Sequence, residues 1–385
     1  MKEVYEAQIQ EQLANDCKAS KRIESSSEGV TSHVGGKYVL FPLHIGRNQG
    51  MGARLENELL PTAGNQSYTQ AKLNLSYQYA AIRLTGQTFE LADSDFQSFA
   101  SALDQEVSGI KRDVAKDYNR QIFGTSVGAL GTATGAYAAV TIPMTNTQYM
   151  AVGQIVDIYA SDTTTLRAAG RNVVTVNKNV SIVVDGANIA AGAIGDIVAR
   201  LGSITREIIG FQQIVNDTGI LHQVNPATVP LWKSVMNGNA GVNRPLSESD
   251  MIRMSDDIVT NGGKSTVIWS NLGVRRSYYN LLVQARRYHD TKDYGGGFSG
   301  LSFTTDNGDI PMMTDIDCQP NRMYFLNEKE IKQYREKDWS WMDRNGNKWQ
   351  WVQQYDAYEA RLYKYFNFGT HRRNTHGLLS DITES

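Results

Sequence analysis

Residues 93–123 read DSDFQSFASALDQEVSGIKRDVAKDYNRQIF, the longest uninterrupted helical pattern in the chain. Phe96, Phe99, Leu103, Val107, Ile110, Val114, Tyr118 and Ile122 recur in steps of three and four, which places one apolar stripe along a rod. Asp93 is positioned to cap the N-terminus, Asp95 and Arg120 complement the helix dipole at opposite ends, and Gly124 follows as a stop. At 1.5 Å per residue such a helix spans roughly 45 Å, more than an ordinary compact domain needs.

Upstream of the rod, KYVLFPLHIG predicts a strand from Lys37 to Ile45, and AKLNLSYQYAAIRLTGQTFEL a second, in which Leu73, Leu75, Tyr77 and Tyr79 alternate with polar residues. Between them lies RNQGMGARLENELLPTAGNQSYTQ, glycine-bearing and without apolar period. A connection of this length without structure of its own is usually functional or interfacial, so the reading is an extended hairpin projecting from the body. Residues 1–36, which end in SSSEGVTSHVGG, read as an arm ordered by lying on something else.

Downstream, Gly124 to Val140 reads as a Gly/Ala/Thr-rich connector too small-residued to make a core. Val152 to Ala160 and Asn172 to Gly186 have the period of strands, and Thr205 to Val215 is open between strand and short helix. Ser247 with Asp250 resembles a capping box opening a helix that Gly262 and Gly263 end, followed by the buried strand STVIWS and a helix from Asn271 to Arg287. The strand, helix, strand order implies a mixed α/β domain. In DWSWMDRNGNKWQWV, a three-residue loop with Gly346 left-handed sets Trp341 across from Trp349 and Trp339 across from Trp351, so that four rings bury together. Tyr355 to Phe368 reads as a long closing strand, and residues after His371 as a polar tail.

Composition limits the function. With 385 residues, 41% of them hydrophobic, the chain has the material for two or three cored domains. A net charge of −2 argues against a nucleic-acid clamp. Cys17 and Cys318 lie too far apart for a zinc motif and read as buried or inert thiols. No apolar window of membrane-spanning length or secretory h-region occurs, so a cytosol-like compartment is expected. Catalytic constellations are weak. His371 and His376 stand five apart, not the i, i+4 of a helical metal pair, and read as solvated. The glycine loop at Gly295 to Gly300 lacks the Lys-Ser/Thr of a phosphate loop, and Asp315 with Asp317 reads as structural rather than acid/base. No catalytic residue, metal site or cofactor is expected.

The order of arm, hairpin, rod, β-rich insert, α/β domain and aromatic strand resembles the major capsid proteins of tailed bacteriophages, a fold shared with encapsulin shells and the herpesvirus capsid floor. LNLSYQYAAIRLTGQTFELADSDF, PLWKSVMNGNAGVNRPLSESDMIRM and GDIPMMTDIDCQPNRMYFLNEKEI carry the resemblance. It implies an α+β fold with an N-terminal arm (1–36), an extended hairpin loop and flanking strands (37–92), a peripheral domain with its spine helix (93–148), an inserted β subdomain (149–186), an axial domain (187–330) and a return to the peripheral domain (331–385). The family's self-cleaved scaffolding region is expected to be absent. The implied function is a shell of hexamers and pentamers of this chain enclosing phage dsDNA without sequence-specific binding. It is assembled in the host cytoplasm with portal and scaffolding proteins and in some cases decoration proteins, away from any membrane. Arg47, Arg54, Glu56, Glu58 and Lys72 are the expected intersubunit ion-pair residues. The alternatives are an encapsulin-like cargo shell, or a soluble multidomain enzyme using the loop at 295–300 near Asp315.

Overall fold

The computed structural model describes residues 19, 24–26, 37–87, 96–284, 292–294, 298–305, 308–343 and 346–385. In it the long helical pattern forms α1 (Phe96–Phe123). Its stripe is inward where side chains are described: Val107, Tyr118 and Ile122 are buried, and Ile110 and Val114 pack partly buried against the core. Asp93 and Asp95 lie outside the described residues. Arg120 does more than face the dipole, since it is buried and pairs with Asp117 at 3.1 Å. Beyond it, Asn119 Nδ2 donates to Asp315 Oδ1 at 2.8 Å and Asp317 Oδ2 at 2.5 Å, and Gln319 Nε2 donates to the Phe123 carbonyl. The two carboxylates therefore fasten the end of α1.

Before α1 come β1 (Glu24–Ser26), β2 (Tyr38–Gly46), β3 (Ser67–Asn74) and β4 (Ser76–Thr85). After it come β5 (Ala129–Thr132), β6 (Thr141–Pro143), β7 (Ile155–Tyr159), β8 (Leu166–Asn177), β9 (Ser181–Val184) and β10 (Ile197–Arg200). The rest is α2 (Phe211–Ile214), β11 (Val235–Asn237), α3 (Glu248–Thr260), β12 (Val267–Ser270), α4 (Leu272–Gln284), β13 (Lys292–Tyr294), β14 (Phe298–Thr305), β15 (Gly308–Thr314), β16 (Met323–Leu326), β17 (Ile331–Trp341), β18 (Gln350–Trp351), β19 (Ala357–Thr370) and β20 (Gly377–Leu379).

The chain divides into two compact units, Gly124–Gly210 and the remainder. The first is a six-stranded sheet in the order β5-β10-β7-β8-β9-β6. It is wider than the insert expected at 149–186, because 124–148 and 187–210 supply β5, β6 and β10. The supposed connector contributes Leu130, Ala133 and Tyr137 to this unit's core, with Ile142, Val156, Ile158 and Val198. Its small residues are what lets the layers close: a Cβ at Gly131 would stand 2.3 Å from Met144 Cε. The segment left open at 205–215 resolves into an irregular run followed by the single turn α2.

The larger unit holds two principal sheets. One joins β1, β17, β19 and β18, with β4 also on β19, and its inner face packs Ile82, Leu84, Trp339, Trp341 and Leu362 with Val107 and Ala115 of α1. The other runs β11-β20-β16-β12-β15-β14-β13 and packs Ile268, Met312 and Phe325 with Met254, Ile258, Val274 and Tyr278 of α3 and α4. Ser247 caps α3, accepting from the Asp250 N–H at 3.1 Å while its hydroxyl donates to the Asp250 carboxylate at 2.7 Å. Gly262 at φ +78° ends that helix.

Three expectations are corrected here. The second hairpin strand is two strands: β3 pairs with β2, the chain breaks at Leu75, and β4 pairs with β19 instead. The alternation from Leu73 to Tyr79 is continuous, but Leu73 is buried against one layer while Tyr77 and Tyr79 are exposed on another. The tryptophans do not form a closed hairpin, although Gly346 is left-handed at φ +83°. Trp341 lies opposite Leu362 and Trp351 opposite Tyr358, both on β19, because that long strand gives each a ladder partner. Trp339 and Trp341 are buried, Trp349 is partly so, and Trp351 is exposed. The third concerns the C-terminus, which is no polar tail. β20 lies inside the seven-stranded sheet between β11 and β16, and Leu379 and Ile382 enter its core.

Candidate assembly site

The first strand of the hairpin forms where its sequence suggests, and β3 alone supplies the second. β2 and β3 run antiparallel from Tyr38↔Asn74 to His44↔Tyr68, with Val39, Phe41, Leu43, Ala71 and Leu73 buried. Residues 47–66 then leave the ladder as an ordered loop. Asn48 closes its neck: Nδ2 donates to the Gly64 carbonyl at 2.9 Å and Oδ1 accepts the Gly50 N–H at 2.7 Å. The approach needs a glycine, since a Cβ at Gly64 would lie 2.5 Å from Asn48 Oδ1.

At the tip, Arg54 Nε donates to the Leu59 carbonyl at 2.9 Å, the Leu55 N–H donates to Glu58 Oε2 at 2.9 Å, and Asn57 takes φ +66°. Arg54, Glu56 and Glu58 thus share one turn, whereas Arg47 stands at the loop's start and Lys72 on β3, its Nζ 4.3 Å over the Tyr38 ring. None of these five makes an ion pair with a described residue. Arg47, Arg54, Glu56 and Glu58 are exposed. The sequence reading missed the apolar side chains between them: Met51, Leu55, Leu59 and Leu60 are 75–89% exposed. Their signal was the LENELLP run itself, set aside for lack of period. Each such side chain gains about 1.5–3 kcal/mol when fully buried.

The base of the hairpin is anchored in a buried aromatic and histidine cluster. The Phe41 ring lies 4.8 Å from His371, 5.5 Å edge-on to His222 and 6.4 Å stacked on Tyr334. The Lys72 N–H donates to the His222 carbonyl at 2.9 Å, joining β3 to the 221–224 turn. His222 Nε2 accepts the Thr370 N–H at 3.3 Å, which puts its proton on Nδ1, a buried atom with no hydrogen-bond partner. His376 Nδ1 accepts the Asn327 N–H at 3.2 Å, and its Nε2 lies 3.1 Å from Thr370 Oγ1. Arg373 is fully buried and donates to the carbonyls of Ile214, Gly219 and Gln213 at 2.7–3.1 Å.

Burial, reinforced by the Arg373 charge, pulls the pKa of both His222 and His376 down to about 3. His371 is lowered too, first by burial and then by Lys332. These histidines are therefore structural and neutral, not the solvated pair expected at 371 and 376. The sequence did carry a clue in the apolar Leu378, Leu379 and Ile382.

Cys318 is buried, and burial followed by the Asp315 charge pushes its thiol well above the usual range, while Cys17 lies outside the described residues. Of the glycine loop, 295–297 lie outside the described residues and 298–300 begin β14. Among the described residues no cluster of three metal-binding side chains occurs, and no helix is long and apolar enough to cross a membrane.

Residues 199–352 match the family model described as SU10 major capsid protein. No curated protein matches the sequence. Among solved structures, the Cyanophage A-1(L) capsid asymmetric unit shares the fold, with a TM-score of 0.57 and 13% identity over 94% of this chain and 90% of that one. The capsid of Myoviridae phage XM1 (TM-score 0.46, 9% identity, 94% and 90% covered) and the encapsulin of Synechococcus elongatus (TM-score 0.40, 6% identity, 95% and 87% covered) are too distant to add weight. Residues 199–352 are thus similar in sequence to the SU10 major capsid protein family, and nearly the whole chain shares the fold of the cyanophage capsid subunit.

Proposed function

We infer that this chain builds the icosahedral head of a tailed phage from hexamers and pentamers of itself, enclosing double-stranded DNA, with the loop 47–66 laid over an adjacent copy. The observation that carries the loop's role is its combination of order and exposure. Asn48 and Arg54 hold a fixed backbone that presents Met51, Leu55, Leu59 and Leu60 to solvent. A monomer gains nothing from holding four large apolar side chains in water on a shaped loop, whereas an adjacent copy would bury them. Many small contacts of this kind, repeated by symmetry, sum to a closed container. Arg47, Arg54, Glu56, Glu58 and Lys72 would set register in that contact more than strength, at about 0–1 kcal/mol for each exposed pair.

In this reading the sheet of β4, β17 and β19 with α1 is the peripheral domain. The seven-stranded sheet with α3 and α4 is the axial domain that meets its copies around the five- and six-fold axes, and Gly124–Gly210 is the insertion. The net charge of −2 suits a wall that contains DNA without gripping it. Portal and scaffolding proteins would be the other partners, with decoration proteins on the outer surface, the whole assembling in the host cytoplasm.

The test is electron microscopy and sedimentation of the purified chain beside one lacking Gly50–Gln66. The intact chain is expected to form shells, and the deleted chain to retain its circular dichroism but sediment as small species. Normal shells from the deleted chain would remove the loop's role. DNA inside particles from infected cells separates a phage head from a cargo shell, and a small stable oligomer from the intact chain would favour the enzyme alternative.

A further inference from the structure

The fold sorts the methionines of this chain sharply by exposure. Met144 is fully buried in the core of the six-stranded sheet, and Met251, Met254 and Met323 are fully buried in that of the seven-stranded one. Met236 on β11 is 39% exposed, whereas Met51 in loop 47–66 is 75% exposed, the most of any described methionine. The backbone that carries Met51 is nonetheless fixed. Its neighbour Gly50 donates its N–H to Asn48 Oδ1 at 2.7 Å, and a Cβ on Gly50 would stand 2.8 Å from the Thr62 carbonyl oxygen. The two arms of the loop therefore close on each other beneath Met51 and leave its thioether in water.

We propose that Met51 is an oxidation site through which peroxides control assembly of this chain. The proposal rests on the shell reading above and adds a chemical control to the same loop. Its sulfur lone pair attacks one oxygen of hydrogen peroxide, the O–O bond breaks, an S–O bond forms and water leaves, so that sulfur is oxidised and the peroxide reduced. A thiol-dependent sulfoxide reductase reverses the change, the oxygen leaving as water. The two states of the loop feel this differently. In the free chain the sulfoxide oxygen is hydrated and touches no core, so the fold is unaffected. Once another copy covers the loop, the same oxygen is a strong acceptor taken out of water among Leu55, Leu59 and Leu60, and burying it without a donor opposes the contact. The buried methionines react only when their cores open, which makes Met51 the first to be oxidised. Assembly in turn shields Met51, so the sensitivity belongs to the chain before it enters a shell.

The test treats the purified chain with hydrogen peroxide before assembly, and particles with the same dose after it, and reads each methionine by peptide mass spectrometry. Met51 is expected to be oxidised about tenfold faster than the core methionines in the free chain and to be protected to a similar degree in particles. With circular dichroism unchanged, the oxidised chain is expected to give about tenfold fewer particles than its own untreated sample. The Met51→Leu chain, compared with its own untreated sample, is expected to lose no yield to peroxide, and the Met236→Leu chain to lose as much as the unsubstituted one. Full oxidation of Met51 with undiminished yield, equal loss in the Met51→Leu chain, or equal reactivity of Met51 in particles and free chain would each overturn the proposal while leaving the shell reading in place. An untreated chain that forms no particles would overturn both. Should Met51→Leu itself fail to assemble, reduction carries the test: a sulfoxide reductase is expected to restore the yield of the oxidised chain, and no recovery once Met51 is reduced would overturn the proposal.

Discussion

His222 and His376 make the fold of the larger unit sensitive to acid. Each is buried neutral with a pKa of about 3, whereas an unfolded chain would titrate them near the ordinary value of 6.5. Between those limits the unfolded state binds more protons, so stability is fully present above pH 6.5 and falls as pH drops toward 3. The expected loss is about 2 kcal/mol for each histidine between pH 7 and pH 5, read as a lower urea midpoint. Trp232 is a convenient reporter, because its ring lies 6.2 Å from His222. An unchanged midpoint over that interval would mean that the two imidazoles are not held neutral. In the sequence only the apolar Leu378, Leu379 and Ile382 hinted at burial near His376, and nothing did so for His222. A histidine's local neighbours do not reveal that Phe41, some 180 positions earlier, will pack on His222, or that the Asn327 N–H will donate to His376.

At the scale of the element, the helix and turn signals were legible because they are local. Ser247 and Asp250 sit three apart, and the N-cap bond they predict is present at 3.1 Å. Ser247→Ala is expected to lower stability by about 1 kcal/mol, measured as a shift in denaturant midpoint with the slope unchanged, since it strands an N–H of α3's first turn. The stripe of α1 was legible for the same reason, as was the alternation of β2 and β3. Strand partnership was not. The run from Leu73 to Tyr79 keeps one period while changing sheets at Leu75, because a period of two specifies which side chains share a face and not which layer covers it. The tryptophan pairs failed in the same way: Gly346 is left-handed as expected, yet β19 outcompeted the hairpin partner.

For the whole molecule, the insertion of one compact unit into another has a testable consequence. Phe123 and Phe211 flank Gly124–Gly210, and their rings meet edge to face with centroids 5.3 Å apart. Both rings also belong to the larger unit, where Phe123 packs on Trp269 at 5.7 Å. Replacing 124–210 with a short glycine-serine linker is therefore expected to leave a soluble chain with a single cooperative unfolding transition, and 124–210 alone is expected to fold around its own core of Leu130, Ile142, Val156 and Val198. Loss of cooperativity in the shortened chain would show that the units depend on each other.

By itself the sequence determined the long amphipathic helix, its capped successor at 248–260, the hairpin with its protruding loop, and the order of parts that resembles a phage capsid subunit, because each is written in side-chain spacing over a few turns or strands. The tertiary structure alone decided that Leu378, Leu379 and Ile382 near the C-terminus enter a core, that a separate compact unit begins at Gly124, and that β4 leaves the hairpin for β19. Those outcomes depend on which apolar surfaces meet across hundreds of residues. Hydrophobic burial has no direction along the chain, so no local pattern records its partner.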